Sequence, residues 1–196
     1  MHITTFKLPG ILKITPRRFS DARGFFSESY NQARWREHGL SVDFVQDNQA
    51  FSAAADTVRG LHFQSPPHAQ TKLISVLRGA IIDVALDIRS GSPGYGQSVS
   101  VRLTAEGGEQ LLVPKGFAHG YRTLTPDTLV FYKVDDFYSP ENEGGVLWND
   151  PALAIDWTAG GAAPFVGQAQ VGDRDRTWPT WAEFQSPFAF ADALTV

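Results

Sequence analysis

Residues 58–72 read VRGLHFQSPPHAQTK and bring Arg59, His62 and Lys72 within fourteen positions of one another. Each side chain has its own chemical use. An arginine grips phosphate oxygens bidentately, an imidazole exchanges protons near neutral pH, and a lysine ammonium can stabilise a developing oxyanion. A hairpin that only packed a core would have no use for the three together. Residues 57–63 read as a short strand, Pro66 and Pro67 stiffen the loop after it, and Gln70-Thr71-Lys72 opens a second strand over residues 73–77. This stretch is predicted to be the active-site hairpin of a small β-barrel enzyme. A geometric condition attaches to it. Arg59 and His62 are three apart, so a regular strand sends them to opposite faces. Both reach one substrate only if the strand carries a bulge, for which Gly60 is the natural place. Otherwise Arg59 stands at the rim or reaches a neighbouring subunit.

The elements that must hold this hairpin are also short strands. Apolar residues alternate at Ile82, Val84, Leu86 and Ile88, with Asp83 and Asp87 on the other face beside Ile81 and Ala85. Those two aspartates either face a cavity or follow ordinary polar alternation. Further strands are predicted over residues 10–16, 25–29, 44–51, 99–103, 110–113, 118–124 and 129–134, with turns at 19–24, 89–94 and 106–108. On the strand over 44–51, Gln46 and Asn48 share one face and Val45 and Asp47 the other. Asn31 is a helix N-cap for QARWREH, with Gly39 placed to end the helix in the left-handed conformation. A second helix is expected near Trp181, and residues 158–170, rich in Gly and Ala, are expected to form a flexible loop. Roughly ten short strands and few helices predict an all-β jelly-roll barrel.

Composition narrows the function. A chain of 196 residues with 42% hydrophobic and 19% charged residues is predicted to fold as one globular domain, residues 1–196. A net charge of −4 gives no general attraction to nucleic acid or to an anionic membrane, so an anionic ligand must be held by a local basic cluster. With no cysteine, thiolate chemistry, cysteine-bound zinc and disulfides are excluded. The first residues lack an apolar signal region and no run is long enough to span a membrane, so a cytoplasmic location is expected.

The stretch from Gly108 to His119 reads Gly, five residues, Pro, one, Gly, two, His. That spacing resembles the second motif of the cupin barrels, double-stranded β-helices in which the histidine points inward. The first cupin motif would supply two histidines and a glutamate. Here His62 is present, Gln64 takes the second histidine's place, and Lys72 stands seven residues before Gly79, where the glutamate would be. A protonated lysine has no lone pair and repels a dication, so the expectation is a cupin-like barrel that uses no metal.

A larger set of segments resembles the dTDP-4-dehydrorhamnose 3,5-epimerase family: DARGFFSE from Asp21, QDN from Gln46, RGLHFQ from Arg59, AQTKL from Ala69, DVALDIR from Asp83, GFAHG from Gly116, and WNDP from Trp148. They occur in family order over residues 10–157. The resemblance implies a double-stranded β-helix with short peripheral helices, and a dTDP-4-keto-6-deoxy sugar as substrate. It also implies a homodimer and no cofactor. By position it makes His62 the base that removes the proton beside the sugar ketone, Tyr132 the acid on the opposite face, and Lys72 the stabiliser of the enolate. Asp175 would orient His62, with Asp173 as its rival, and Arg174 would meet the diphosphate. Arg23, Phe26, Glu28, Gln46, Asp47, Asn48, Arg59, His119 and Glu143 match substrate-contacting positions. Tyr138 matches an aromatic that stacks on thymine, or else anchors its loop. Taken alone, Glu28, Asp47 and Glu143 read equally well as surface or structural charges. Inversion at a single carbon, a non-catalytic nucleotide-sugar-binding cupin and a metal-dependent oxygenase are the alternatives. Lys72 and Gln64 weigh against the last of these.

Overall fold

The computed structural model describes residues 1–190. In chain order the strands are β1 (His2–Thr5), β2 (Leu12–Thr15), β3 (Arg18–Asp21), β4 (Gly24–Ser27), β5 (Gln46–Ser52), β6 (Thr57–Gln64), β7 (Lys72–Arg78), β8 (Ala80–Asp87), β9 (Arg89–Ser90), β10 (Ser98–Thr104), β11 (Gln110–Val113), β12 (Phe117–Thr123), β13 (Thr128–Val134), β14 (Glu143–Gly145), β15 (Gln170–Val171) and β16 (Phe188–Ala189). One sheet runs β1-β2-β11-β7-β13-β5 and the other β10-β8-β12-β6-β14, with β15 added in parallel to β6. The two sheets share a core in which Ile74, Val76, Leu111 and Val130 of the first meet Ile81, Ala85, Val101 and Tyr121 of the second. This is the double-stranded β-helix, or jelly roll, expected from the sequence.

The outer faces are covered too, which explains why β8 is buried at every position. Its Ile82, Val84 and Leu86 pack outward against Val146, Leu153, Trp157 and Phe188 from later in the chain. The apolar face of β8 is therefore the outer one, and Asp83 points into the barrel. On the first sheet, Trp35 and Leu40 cover Ile14, Leu73 and Leu112. Trp35 belongs to α1 (Gln32–Glu37), capped as expected: the Asn31 side chain accepts from Arg34 N–H, and Gly39 has φ +79°.

Three expectations differ from the structure. Residues 19–24 are mostly strand with a turn only at Ala22 and Arg23, because β3 and β4 pair as a hairpin from Arg18↔Ser27 to Asp21↔Gly24. No helix forms around Trp181. Its ring stacks on Phe184 and its backbone N–H donates to Asp150 Oδ2, so its apolar signal reports packing and not helical periodicity. The glycine-rich segment 158–170 is anchored. The buried Arg122–Asp56 pair receives Val166 N–H on Asp56 Oδ2, Arg122 donates to Ala163 O, and Phe165 covers the guanidinium.

Candidate active site

The bulge that would let Arg59 and His62 share a face is present. β6 and β12 align His62 with His119 but Arg59 with Tyr121, so three steps on one strand match two on the other. The extra residue lies at Gly60, whose φ of +126° suits glycine, and a Cβ there would sit 2.5 Å from Gly120 Cα and 2.8 Å from His119 O. Arg59 and His62 thereby both face the interior, with Val58, Leu61 and Phe63 facing out into the second core. The bulge has a second effect. Gly60 N–H is free of the strand ladder and donates to Asp175 Oδ2 at 3.0 Å.

Asp175 lies in a 3-10 turn, Arg174–Arg176, and its other oxygen meets His62 Nε2 at 2.5 Å. Trp178 Nε1 donates to that same oxygen at 3.2 Å, and its ring stands edge-on to the imidazole. Burial alone would raise the Asp175 carboxyl. The hydrogen bond and charge of His62, with the N–H groups of Gly60 and Trp178, outweigh it and hold the carboxyl below its usual range. An ionised carboxylate only accepts, so His62 carries its proton on Nε2 and Nδ1 holds the lone pair. Asp173, the rival from the sequence, is exposed and lies outside this contact.

The facing sheet contributes Lys72 from the start of β7 and Tyr132 from β13. His62, Lys72, Tyr132, Gln46 and Asn48 line one cleft, with Tyr138 and Glu143 at its edge, in a volume of about 120 Å³. Burial lowers the Lys72 ammonium to about 8, against the opposing pull of Glu143 and Asp83. Burial raises the Tyr132 phenol, only partly countered by Arg59. The cleft thus joins a carboxylate-backed imidazole on one wall to a protonated phenol and an ammonium on the other.

The remaining expected residues divide. Arg59 is exposed, donates to Phe51 O and Ser52 Oγ of β5, and lines a neighbouring groove beside Asp175 rather than this cleft. Glu143 Oε2 accepts from Tyr138 OH and from Arg174, which also lies over Trp178, so these form one rim cluster. His119 is buried behind the cleft, 2.7 Å from Asp83 Oδ1. Asp47 stands away from this chain's cleft. It pairs with Lys133, its register partner, on the outer face, because neighbours of Gln46 and Asn48 must point away from the cleft. Arg23, Phe26 and Glu28 are likewise absent from this chain's cleft. Arg23 pairs with Asp21, Glu28 with Arg34, and Phe26 is 70% exposed, because they lie on or just after the β3–β4 hairpin, a two-stranded sheet separate from the two that form the cleft. Sequence reasoning passed over Gln70, which also lines the cleft, and saw Gln64 only as a missing ligand.

The sequence profile of the dTDP-4-dehydrorhamnose 3,5-epimerase family matches residues 5–183. The chain belongs to the dTDP-4-dehydrorhamnose 3,5-epimerase family. It is 43% identical to such an epimerase from Sinorhizobium fredii over 97% of this chain and 94% of that one. A crystal structure of the family's epimerase from Bacillus anthracis, with TDP and PPi bound, is 47% identical with a TM-score of 0.85, covering 91% and 98% of the two chains. Another, from Legionella pneumophila in complex with dTDP-4-keto-L-rhamnose, is 40% identical with a TM-score of 0.86, each chain covered to 94%. The chain is therefore a sugar-nucleotide epimerase, an isomerase of the rhamnose-forming type.

Proposed function

We propose that the cleft inverts C3 and C5 of dTDP-4-dehydro-6-deoxy-D-glucose, giving dTDP-4-dehydro-β-L-rhamnose, with His62 as base, Tyr132 as acid and Lys72 at the enolate oxygen. The observation that carries this reading is the placement of the two proton carriers on facing sheets. Inversion beside a ketone removes a proton from one face of the ring and returns one to the other, so one group on one side cannot do both. His62 Nδ1 takes the proton at C3 or C5, the electrons pass to the C4 oxygen, and the Lys72 ammonium stabilises the enolate. Tyr132 then delivers a proton from the other side. Each step moves a proton and none consumes an oxidant or reductant, so the chemistry calls for no cofactor.

The cleft's size indicates how the rest of the substrate lies. A volume of about 120 Å³ admits a sugar ring but is well below the roughly 300 Å³ at which pockets enclose a drug-sized ligand. The diphosphate and base extend over the open rim, toward Arg174 and Tyr138. The exposed aromatics Phe19, Phe25 and Phe26 of the β3–β4 hairpin, with Arg23 and Glu28 beside them, supply a second wall if two copies pair. Our reading is a homodimer in which this hairpin closes the partner's cleft, acting in the cytoplasm on a nucleotide-linked sugar. Equilibrium sedimentation tests the dimer, and a monomer with full activity would remove this part.

Proton NMR of the product formed in D₂O tests the reaction. Deuterium and inversion at both C3 and C5 are expected. Inversion at one carbon supports a monoepimerase, and binding without exchange makes the chain a nucleotide-sugar-binding cupin.

A further inference from the structure

Gln64 stands where a metal cupin places its second histidine, two residues beyond His62 on the same face of β6. The structure gives it different work. The side chain is 4% exposed and uses both ends of its amide on backbone from two other segments. Its Nε2 donates to His68 O at 2.6 Å and to Phe137 O at 3.2 Å, and its Oε1 accepts from Ser139 N–H at 2.9 Å. We propose that Gln64 is a positioning residue that fixes the loop over residues 135–139, and through it Tyr138, above the cleft.

Two neighbouring amides act on the same loop. Gln46 Oε1 accepts from Tyr138 N–H at 3.2 Å while its Nε2 is held by Asn48 Oδ1, and Gln70 Nε2 donates to Asp136 O at 2.9 Å. Four consecutive loop residues, from Asp136 to Ser139, are thus tied by glutamine side chains from elsewhere in the barrel. The loop's own aromatics do not hold it, since Phe137 is 65% and Tyr138 53% exposed. Asp135 is held besides by Thr71 and Lys115, but the middle of the loop relies on these amides, and the contacts of Gln64 need donor and acceptor together. Glutamate has no donors and would confront two carbonyl oxygens, methionine offers neither donor nor strong acceptor, and a neutral histidine has a single N–H to offer two carbonyls. The glutamine in place of a ligand histidine therefore orders the rim of the site, and Gln46 acts on the loop as much as on any ligand.

This inference rests on the reading of Tyr138 as the group that stacks on the base, and the test separates the two. Gln64→Met keeps volume and neutrality. It should raise the dTDP dissociation constant and the KM for the dTDP-sugar about tenfold, the effect of losing a buried hydrogen-bonding network, while kcat stays within about threefold. Amide exchange at Tyr138 and Ser139 should accelerate by at least about tenfold. The binding losses of Gln64→Met and Tyr138→Ala should not add. Gln70→Ala removes a single contact and should give a smaller rise in the same direction, which keeps the test open if Gln64→Met folds poorly. Unchanged exchange at both amides overturns the proposal, as does a fall in kcat at constant KM. Faster exchange with unaltered dTDP affinity in both Gln64→Met and Tyr138→Ala upholds the positioning role and removes the stacking role of Tyr138.

Discussion

Asp175→Asn keeps the shape of the side chain, removes its charge, and should lower kcat/KM by roughly 10²- to 10⁴-fold with dTDP affinity within about twofold of wild type. Three donors converge on the carboxylate: His62 Nε2 at 2.5 Å, Gly60 N–H at 3.0 Å and Trp178 Nε1 at 3.2 Å. An asparagine has one acceptor oxygen and one amide to share among them. Because Gly60 N–H is fixed by the bulge, the oxygen turns toward it and the NH₂ faces His62. The imidazole must then accept at Nε2, which moves its proton to Nδ1 and removes the basic lone pair. Loss of the charge-assisted bond alone is worth about 1.5–3 kcal/mol, or roughly 10- to 150-fold, and the wrong tautomer adds the rest. Asp173→Asn, two residues away and exposed, should leave the rate unchanged. Steady-state kinetics with both variants and dTDP calorimetry make the assay. An Asp175→Asn enzyme within about fivefold of wild type, or an Asp173→Asn enzyme equally impaired, would refute the reasoning. The sign of the linked stability follows as well. The folded carboxyl sits below its ordinary 3.8, so wild type loses this stabilisation as pH falls through the acid range, and Asp175→Asn does not.

Two further outcomes are expected. Gly60→Ala forces a Cβ to 2.5 Å from Gly120 Cα at a φ of +126°, and should destabilise the fold by about 3 kcal/mol, read as a drop of roughly 6–12 °C in Tm. A Tm within about 2 °C of wild type would mean that the bulge relaxes freely. Lys72 titrates at about 8 in the fold against its ordinary 10.5, so between these values the unfolded chain holds the extra proton and stability rises with pH. Lys72→Met should therefore be more stable than wild type at pH 7, the gap closing above pH 10.5, while wild-type activity falls as pH passes about 8. A pH-independent stability difference contradicts the assignment.

Much of the fold was legible because it rests on local rules. The strand over Gln110–Val113 and the α1 cap at Asn31 follow from period and turn chemistry, and both are found as read. The bulge at Gly60 was legible for a different reason, since two side chains three apart can share one face only through such a bulge. What the sequence could not display are contacts between distant segments. Nothing near the glycine-rich segment 158–170 announces that Arg122 and Asp56 will bind its backbone. Nothing in the AlaGlnThrLys run shows that Gln70 will hold a loop sixty-six positions on. The alternation in β8 was correct in period but left the side open, because both faces are covered and either could carry the apolar residues. Asp47 matched by neighbourhood with Gln46 and Asn48, yet its strand position turns it away from the cleft.

The central claim is that His62 and Tyr132 hold separate proton duties on opposite faces of the sugar. It is tested most directly by NMR of dTDP-4-dehydro-6-deoxy-D-glucose incubated in D₂O with each variant, following label and configuration at C3 and C5. His62→Ala should abolish both exchange and inversion. Tyr132→Phe keeps the ring and loses only the donor, so His62 still removes a proton, Lys72 still holds the enolate, and deuterium returns from the original face with configuration retained. Inversion of both carbons by Tyr132→Phe at near wild-type rate, or rapid exchange by His62→Ala, would contradict the account.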